Sequence, residues 1–214
     1  MTSTWHLAVY DLRLGRSIGP AERGQRYLYV VDGTCRLESP GAARALAAGD
    51  GAAIDAAMTV AGDGTAWLCE AAPAESAPPD RATAFAALSK AIVVGDAGPR
   101  LFRVDRIDLS AGAQTPRHLH RGPGIRRLIA GRVRVEIGGD VVGAAPGGAW
   151  FEPGDAPVVG ANGWPGDSAF LRVSLLPIEL LGGKSSFIPV SADDAARPRA
   201  VAQRLLYEAA VDAA

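Results

Sequence analysis

Two histidines stand one residue apart, His118 and His120, in the run PRHLHRGPGIRRLIAG (116–131). On an extended strand alternate side chains share a face, so both imidazoles point the same way. Such a pair can ligate zinc, iron, nickel, manganese or copper. A two-histidine-one-carboxylate centre also needs its carboxylate, and a structural zinc site needs four protein ligands. Gln114 shares strand parity with the pair and carries a weakly ligating amide; Glu152 and Asp155 are the carboxylates to consider, and His6 the third imidazole. The alternative is that both histidines are hydrogen-bonding groups lining a cavity. Both readings stay open on the residues alone.

Elements to position these groups are written in punctuation. Gly and Pro total 41 residues (26 and 15), spread between short apolar runs such as RYLYVVDG, TAWLCEA, LFRVDRIDL, RVRVEIGG and AFLRVSLLP. Runs of this kind bounded by turn residues read as strands, and many of them as a sandwich or barrel. The pattern also repeats. YLYVVDGTCRLE turns at Gly33 and RRLIAGRVRVE at Gly131, a spacing of 98; Gly49 and Gly147 repeat that spacing; TAWLCEAAP (65–73) matches SAFLRVSLLP (168–177). A duplicated barrel is expected. Trp150 and Phe151 alternate on one strand, and Trp150 is read as the cavity residue.

The expected organisation is a first barrel over 1–75, a Pro-rich linker with a helix over 76–95, a second barrel over 96–190 and a C-terminal helix over 191–214. The helix assignments rest on Ala, Phe85 and Leu88 in the linker, and on Val201, Leu205 and Ala209 at four-residue spacing after Ser191, Asp193 and Asp194.

The run from Gly112 to Gly131 resembles the first motif of the cupin family, G-x5-H-x-H-x(3,4)-E-x6-G, with every spacing kept and Gly124 at the glutamate position. Gly147, Pro153 and Asn162 fit the second motif, G-x5-P-x-G-x2-H-x3-N, with Asp155 at the inner glycine and Val158 at the histidine. The corresponding ligand positions of the first copy fall on Pro20, Glu22, Arg26 and Val60. The resemblance implies an all-β fold of two cupin jelly-roll barrels, a bicupin, with any chemistry in the second. It further implies that His118 and His120 face a cavity, and that Arg126, two residues beyond Gly124, shares that face while Arg127 points away, unless a bulge at Gly122-Pro123-Gly124 exchanges the two.

An arginine at an apolar cavity needs a counter-ion, either a ligand's carboxylate or phosphate or an internal partner such as Glu152 or Asp155. Arg172 is a candidate second donor. The expected ligand site is therefore Gln114, Arg126, Trp150 and Arg172 around His118 and His120, the last two holding one divalent metal if a metal is bound. The expected ligand is a small organic anion bearing a carboxylate. For an enzyme, the resemblance implies metal-assisted dioxygenase, isomerase or lyase chemistry. The competing classes are a metal-free sensor or binding protein and a structural homo-oligomer, with a homodimer the expected assembly.

Bulk properties narrow the partners. A formal net charge of −1 gives no footprint for nucleic acid or an anionic membrane, and no helix-turn-helix run is evident. No stretch approaches the roughly 20 apolar residues of a membrane helix. Asp11 and Arg13 interrupt the place of a signal peptide's apolar core, and Cys35 and Cys69 form no CxxC pair. A cytoplasmic setting is expected.

Overall fold

The structure is a computed structural model describing residues 2–95 and 98–212. It divides into two compact units, one running to Arg100 and taking in Val211, the other Leu101–Ala210. The first contains β1 (Ser3–Leu12), β2 (Arg16–Ile18), β3 (Gln25–Asp32), β4 (Thr34–Ser39), β5 (Ala42–Ala47), β6 (Gly51–Ala53), β7 (Met58–Gly62), β8 (Thr65–Pro73) and β9 (Ala84–Val94). They form two sheets, β6-β3-β8-β1-β9 and β2-β7-β4-β5. Leu28, Val30 and Leu68 of one sheet and Leu37, Leu46 and Val60 of the other belong to one buried core.

The second unit repeats this plan. Its strands are β10 (Arg100–Leu109), β11 (His118–His120), β12 (Gly124–Ala130), β13 (Val133–Ile137), β14 (Asp140–Ala144), β15 (Ala149–Glu152), β16 (Val158–Ala161), β17 (Ser168–Pro177), β18 (Phe187–Pro189) and β19 (Ala202–Val211). They form the sheets β15-β12-β17-β10-β19 and β14-β13-β16-β11-β18. The first matches β6-β3-β8-β1-β9 strand for strand, and the second adds only β18. Leu128 and Trp150 of one sheet pack with Val133, Val135 and Val158 of the other.

The repeated glycines are structural. Gly33 and Gly131 take φ of +65° and +80° at equivalent hairpins, a region costly for side-chain-bearing residues. A Cβ there would also lie 2.7 Å from the Gly64 Cα and 2.2 Å from the Ser168 Oγ. The all-β duplicated fold is as expected, but two helix assignments need correction. The linker helix is instead strand β9, and most of the C-terminal helix is strand β19; the only α-helix among the described residues is α1 (Ala192–Ala196), N-capped by Ser191. Ala-rich segments favour helix locally, but each lies along the edge of a long strand, β1 or β10, whose backbone groups it satisfies. No helix among the described residues is long and apolar enough to cross a membrane. Cys35 and Cys69 are buried and not joined in a disulfide.

Candidate functional site

The inner face of β15-β12-β17 places charged and polar side chains in two rows. Register sets Arg126 opposite Trp150 on one side and Arg172 on the other; one step along, Gly124 lies opposite Glu152 and Ser174. Two arginines side by side repel unless each has its own counter-ion. Arg172 donates from Nε and Nη2 to the Asp105 Oδ2, at 3.1 and 2.8 Å, and Gln203 donates to Oδ1 at 2.9 Å. Arg126 places Nη2 2.6 Å from the Glu152 Oε2 and donates from Nη1 to the Gly124 carbonyl at 2.6 Å. Trp150 donates from Nε1 to the Glu152 Oε1 at 2.9 Å.

The opposite sheet brings in the histidines. Both are buried, and their rings meet edge to face at 4.8 Å between centroids. The His118 Nδ1 lies 2.9 Å from the Pro116 carbonyl, which can only accept, so Nδ1 carries the proton and the neutral ring keeps its lone pair on Nε2. Phe187 stacks on His118 at 4.5 Å. The His120 Nε2 lies 3.1 Å from the Glu152 Oε2, and its Nδ1 lies 3.5 Å from the Ser186 hydroxyl. Burial lowers the pKa of both rings, that of His120 to about 4, against the opposing pull of Glu152. Burial alone would raise the Glu152 carboxyl; Arg126, His120 and Trp150 outweigh it and hold it down at about 2. Arg126 is brought down by burial to about 10 and stays a cation.

These groups line one cavity of about 730 Å³, open mouth included, with Val133, Val135, Val158 and Phe170 among its apolar walls. The segment after α1 contributes Arg199, Val201 and Gln203. Arg199 lays its guanidinium over the Phe187 ring at 4.4 Å and donates to the Ser185 hydroxyl at 3.0 Å. Among the described residues no carboxylate lies within ion-pair reach of it. Ala200 beside it has φ of +58°, the one positive value outside glycine among the described residues.

No family model and no curated protein matches the sequence. Solved structures do match. The oxalate decarboxylase of Lactobacillus farciminis, in a formate complex, aligns over 92% of this chain and 82% of its own with a TM-score of 0.59 at 12% identity. A cupin 2 conserved barrel domain protein from Leptotrichia buccalis aligns over 82% and 89%, with a TM-score of 0.51 at 13% identity. The oxalate decarboxylase of Bacillus subtilis, described with Mn(II) centres, aligns over 94% and 81%, with a TM-score of 0.56 at 9% identity.

The chain has the bicupin fold.

A metal is implied by that fold, but the residues present in this bicupin do not fit one. Glu152, the carboxylate nearest the histidines, is held by Arg126 and Trp150. Where the motif's glutamate would start, a Cβ on residue 124 would lie 2.5 Å from the Arg126 Nη1 and 2.8 Å from the Ser174 Oγ. Among the described residues no group of three His, Cys, Asp or Glu is arranged to hold a metal ion. The centre is a guanidinium–carboxylate–imidazole network.

Of the residues singled out from sequence, His118, His120, Arg126, Trp150 and Arg172 converge on this cavity. Gln114 does not. The turn at Gly112 and Pro116 end its strand parity with the histidines, leaving it exposed in an isolated bridge to Ala161, while Thr115 faces the cavity and accepts from the Gly160 amide. Asp155 is exposed, and His6 contacts Ser89 in the first unit. Arg127 is buried on the other face and donates to the Gly147 carbonyl at 3.1 Å; Arg132 and Arg134 are exposed. Asp105, Ser186, Arg199 and Gln203 carried no motif signal, and the last two lie on a segment that reads as helix.

Proposed function

We propose that the second barrel binds a small organic anion with an apolar body, its charged end recognised at the mouth by Arg199. The carrying observation is how the cavity's charge is distributed. Arg126 and Arg172 are each matched by a carboxylate within the protein, whereas Arg199 has, among the described residues, stacking and hydroxyl contacts only. A carboxylate ligand would give it a bidentate partner, and the Val and Phe walls would take the body. The formate complex of a protein of the same fold supports small carboxylates as a class. Arg126, first expected to hold the ligand's charge, is better read as part of the floor.

Thermal denaturation with acetate, hexanoate, phenylacetate and phenylacetamide tests this. Phenylacetate and hexanoate raise the melting temperature by several degrees, acetate and phenylacetamide by less, and Arg199→Gln abolishes the carboxylate preference. A panel in which no carboxylate stabilises the wild-type protein sinks the reading.

A metal-assisted dioxygenase, isomerase or lyase is the second reading, supported by the Mn(II) centres of a protein of the same fold and opposed by the guanidinium beside Glu152. Elemental analysis of the purified protein and of His118→Ala separates the two. A cytoplasmic homodimer remains part of the proposal; edge strands such as β9 and β14 offer backbone for pairing, and light scattering reads the assembly.

A further inference from the structure

We infer that His118 sets the specificity of this cavity by accepting a hydrogen bond at Nε2, so that the anion taken up is a hydroxy acid with its hydroxyl a few bonds from the carboxylate. The carboxylate half of this inference rests on the ligand reading above; the hydroxyl half rests on His118.

The two imidazoles differ in what is left free to meet a ligand. In His120 both nitrogens face protein groups: Nε2 lies 3.1 Å from the Glu152 Oε2, and Nδ1 lies 3.5 Å from the Ser186 hydroxyl. In His118 only one does. Its Nδ1 donates to the Pro116 carbonyl at 2.9 Å, which leaves the lone pair of the neutral ring on Nε2. Among the described residues no group donates to that lone pair; the ring's other neighbours are the His120 edge and the Phe187 face. His118 is buried and lines the cavity beside Val158 and Phe187. A buried acceptor left unmatched is unfavourable, and a ligand that brings a donor to it gains over one that does not.

Charge selects the kind of donor. Burial keeps the His118 ring neutral, with Glu152 pulling the other way and Arg126 and Arg172 opposing that pull. Glu152 is already paired with Arg126, and the desolvation that keeps the imidazole uncharged weighs equally on an ammonium carried by a ligand. A neutral hydroxyl fits this place.

Geometry sets the spacing. His118 stacks on Phe187 at 4.5 Å between centroids, and the Arg199 guanidinium lies over the same ring at 4.4 Å. The acceptor and the cation are therefore neighbours about one aromatic ring. A ligand whose carboxylate meets Arg199 reaches the His118 Nε2 with a hydroxyl held only a few bonds away, as in mandelate or ortho-hydroxyphenylacetate.

Calorimetric titration of the full chain tests this by comparing phenylacetate with those two hydroxy acids, and each hydroxy acid with its methyl ether. At least one hydroxy acid is expected to bind about 10-fold more tightly than phenylacetate, the effect of one added hydrogen bond, and its methyl ether to lose the gain. In His118→Phe, which keeps an aromatic ring against Phe187, the hydroxyl gain disappears while phenylacetate still binds. Thermal melting shows whether that variant is folded, and the ethers read the same contact on the wild-type protein. Hydroxy acids that bind no more tightly than phenylacetate overturn the inference and leave the anion reading standing, as does a gain that survives in the ethers or in folded His118→Phe. Benzyl alcohol and its methyl ether carry no carboxylate and separate the two ideas. If every acid fails to bind while the alcohol outbinds its ether in a His118-dependent way, the anion reading fails and Nε2 keeps its role. If acids and alcohol all fail, both fall.

Discussion

At the scale of single residues, the centre depends on Glu152, which meets Arg126, His120 and Trp150 together. Glu152→Gln leaves Arg126 buried without its counter-ion, and breaking a buried pair in this way costs about 3–5 kcal/mol. Chemical denaturation is expected to show a loss of that size. Acid has a related effect with a defined sign. The His120 pKa is about 4 when folded, against about 6.5 for an ordinary imidazole, so as pH falls through that window the unfolded chain takes up a proton that the folded one refuses. Stability declines from about pH 6.5 to 4. Glu152, at about 2 against 4.5, extends the decline below pH 4.5 as its ion pairs are lost. In His120→Gln the upper limb of melting temperature against pH becomes shallower, keeping the part that His118 contributes, while the lower limb remains. An upper limb of unchanged slope assigns it to other groups. The histidine pair and the inward arginine were legible because strand parity and motif spacing fix which face they take. Glu152 was visible only as one of several carboxylates, since its role depends on a partner strand that local sequence does not identify.

At the scale of elements, β9 and β19 depart from the expected helices for one reason. β9 and β19 occupy corresponding edges, and both are rich in residues that favour helix. What makes β19 a strand is long-range: Glu208 on it places Oε1 2.6 Å from the Nη2 of fully buried Arg103 and accepts from the Gly182 amide at 2.9 Å. Tyr207 meets Phe102 edge to face at 6.0 Å. No periodicity rule sees such partners about 100 positions away. Glu208→Gln leaves Arg103 without its carboxylate, and the expected loss is again about 3–5 kcal/mol. At about 2–4 °C per kcal/mol for a chain of this size, the melting temperature falls by roughly 6–20 °C. Hydrogen exchange is then expected to rise first along β19, because that strand loses its anchor. A uniform rise would mean that β19 opens only with the rest of its unit.

At the scale of the molecule, duplication has separated two tasks. Each unit keeps its own apolar core and its own buried arginine–carboxylate pair, but the imidazoles and the cavity described here belong to the second. The duplication was legible in sequence because turn glycines with positive φ, Gly33 with Gly131 and Gly49 with Gly147, recur at one spacing. Independent cores predict independent melting. Calorimetry should then resolve two components, with Glu70→Gln lowering one and Glu152→Gln the other. Phenylacetate is expected to raise the component that Glu152→Gln lowers, since a ligand stabilises the state it binds by mass action. If both substitutions lower a single transition by similar amounts, the duplicated halves unfold as one cooperative unit, and the first barrel's ion pair contributes to the stability of the site in the second.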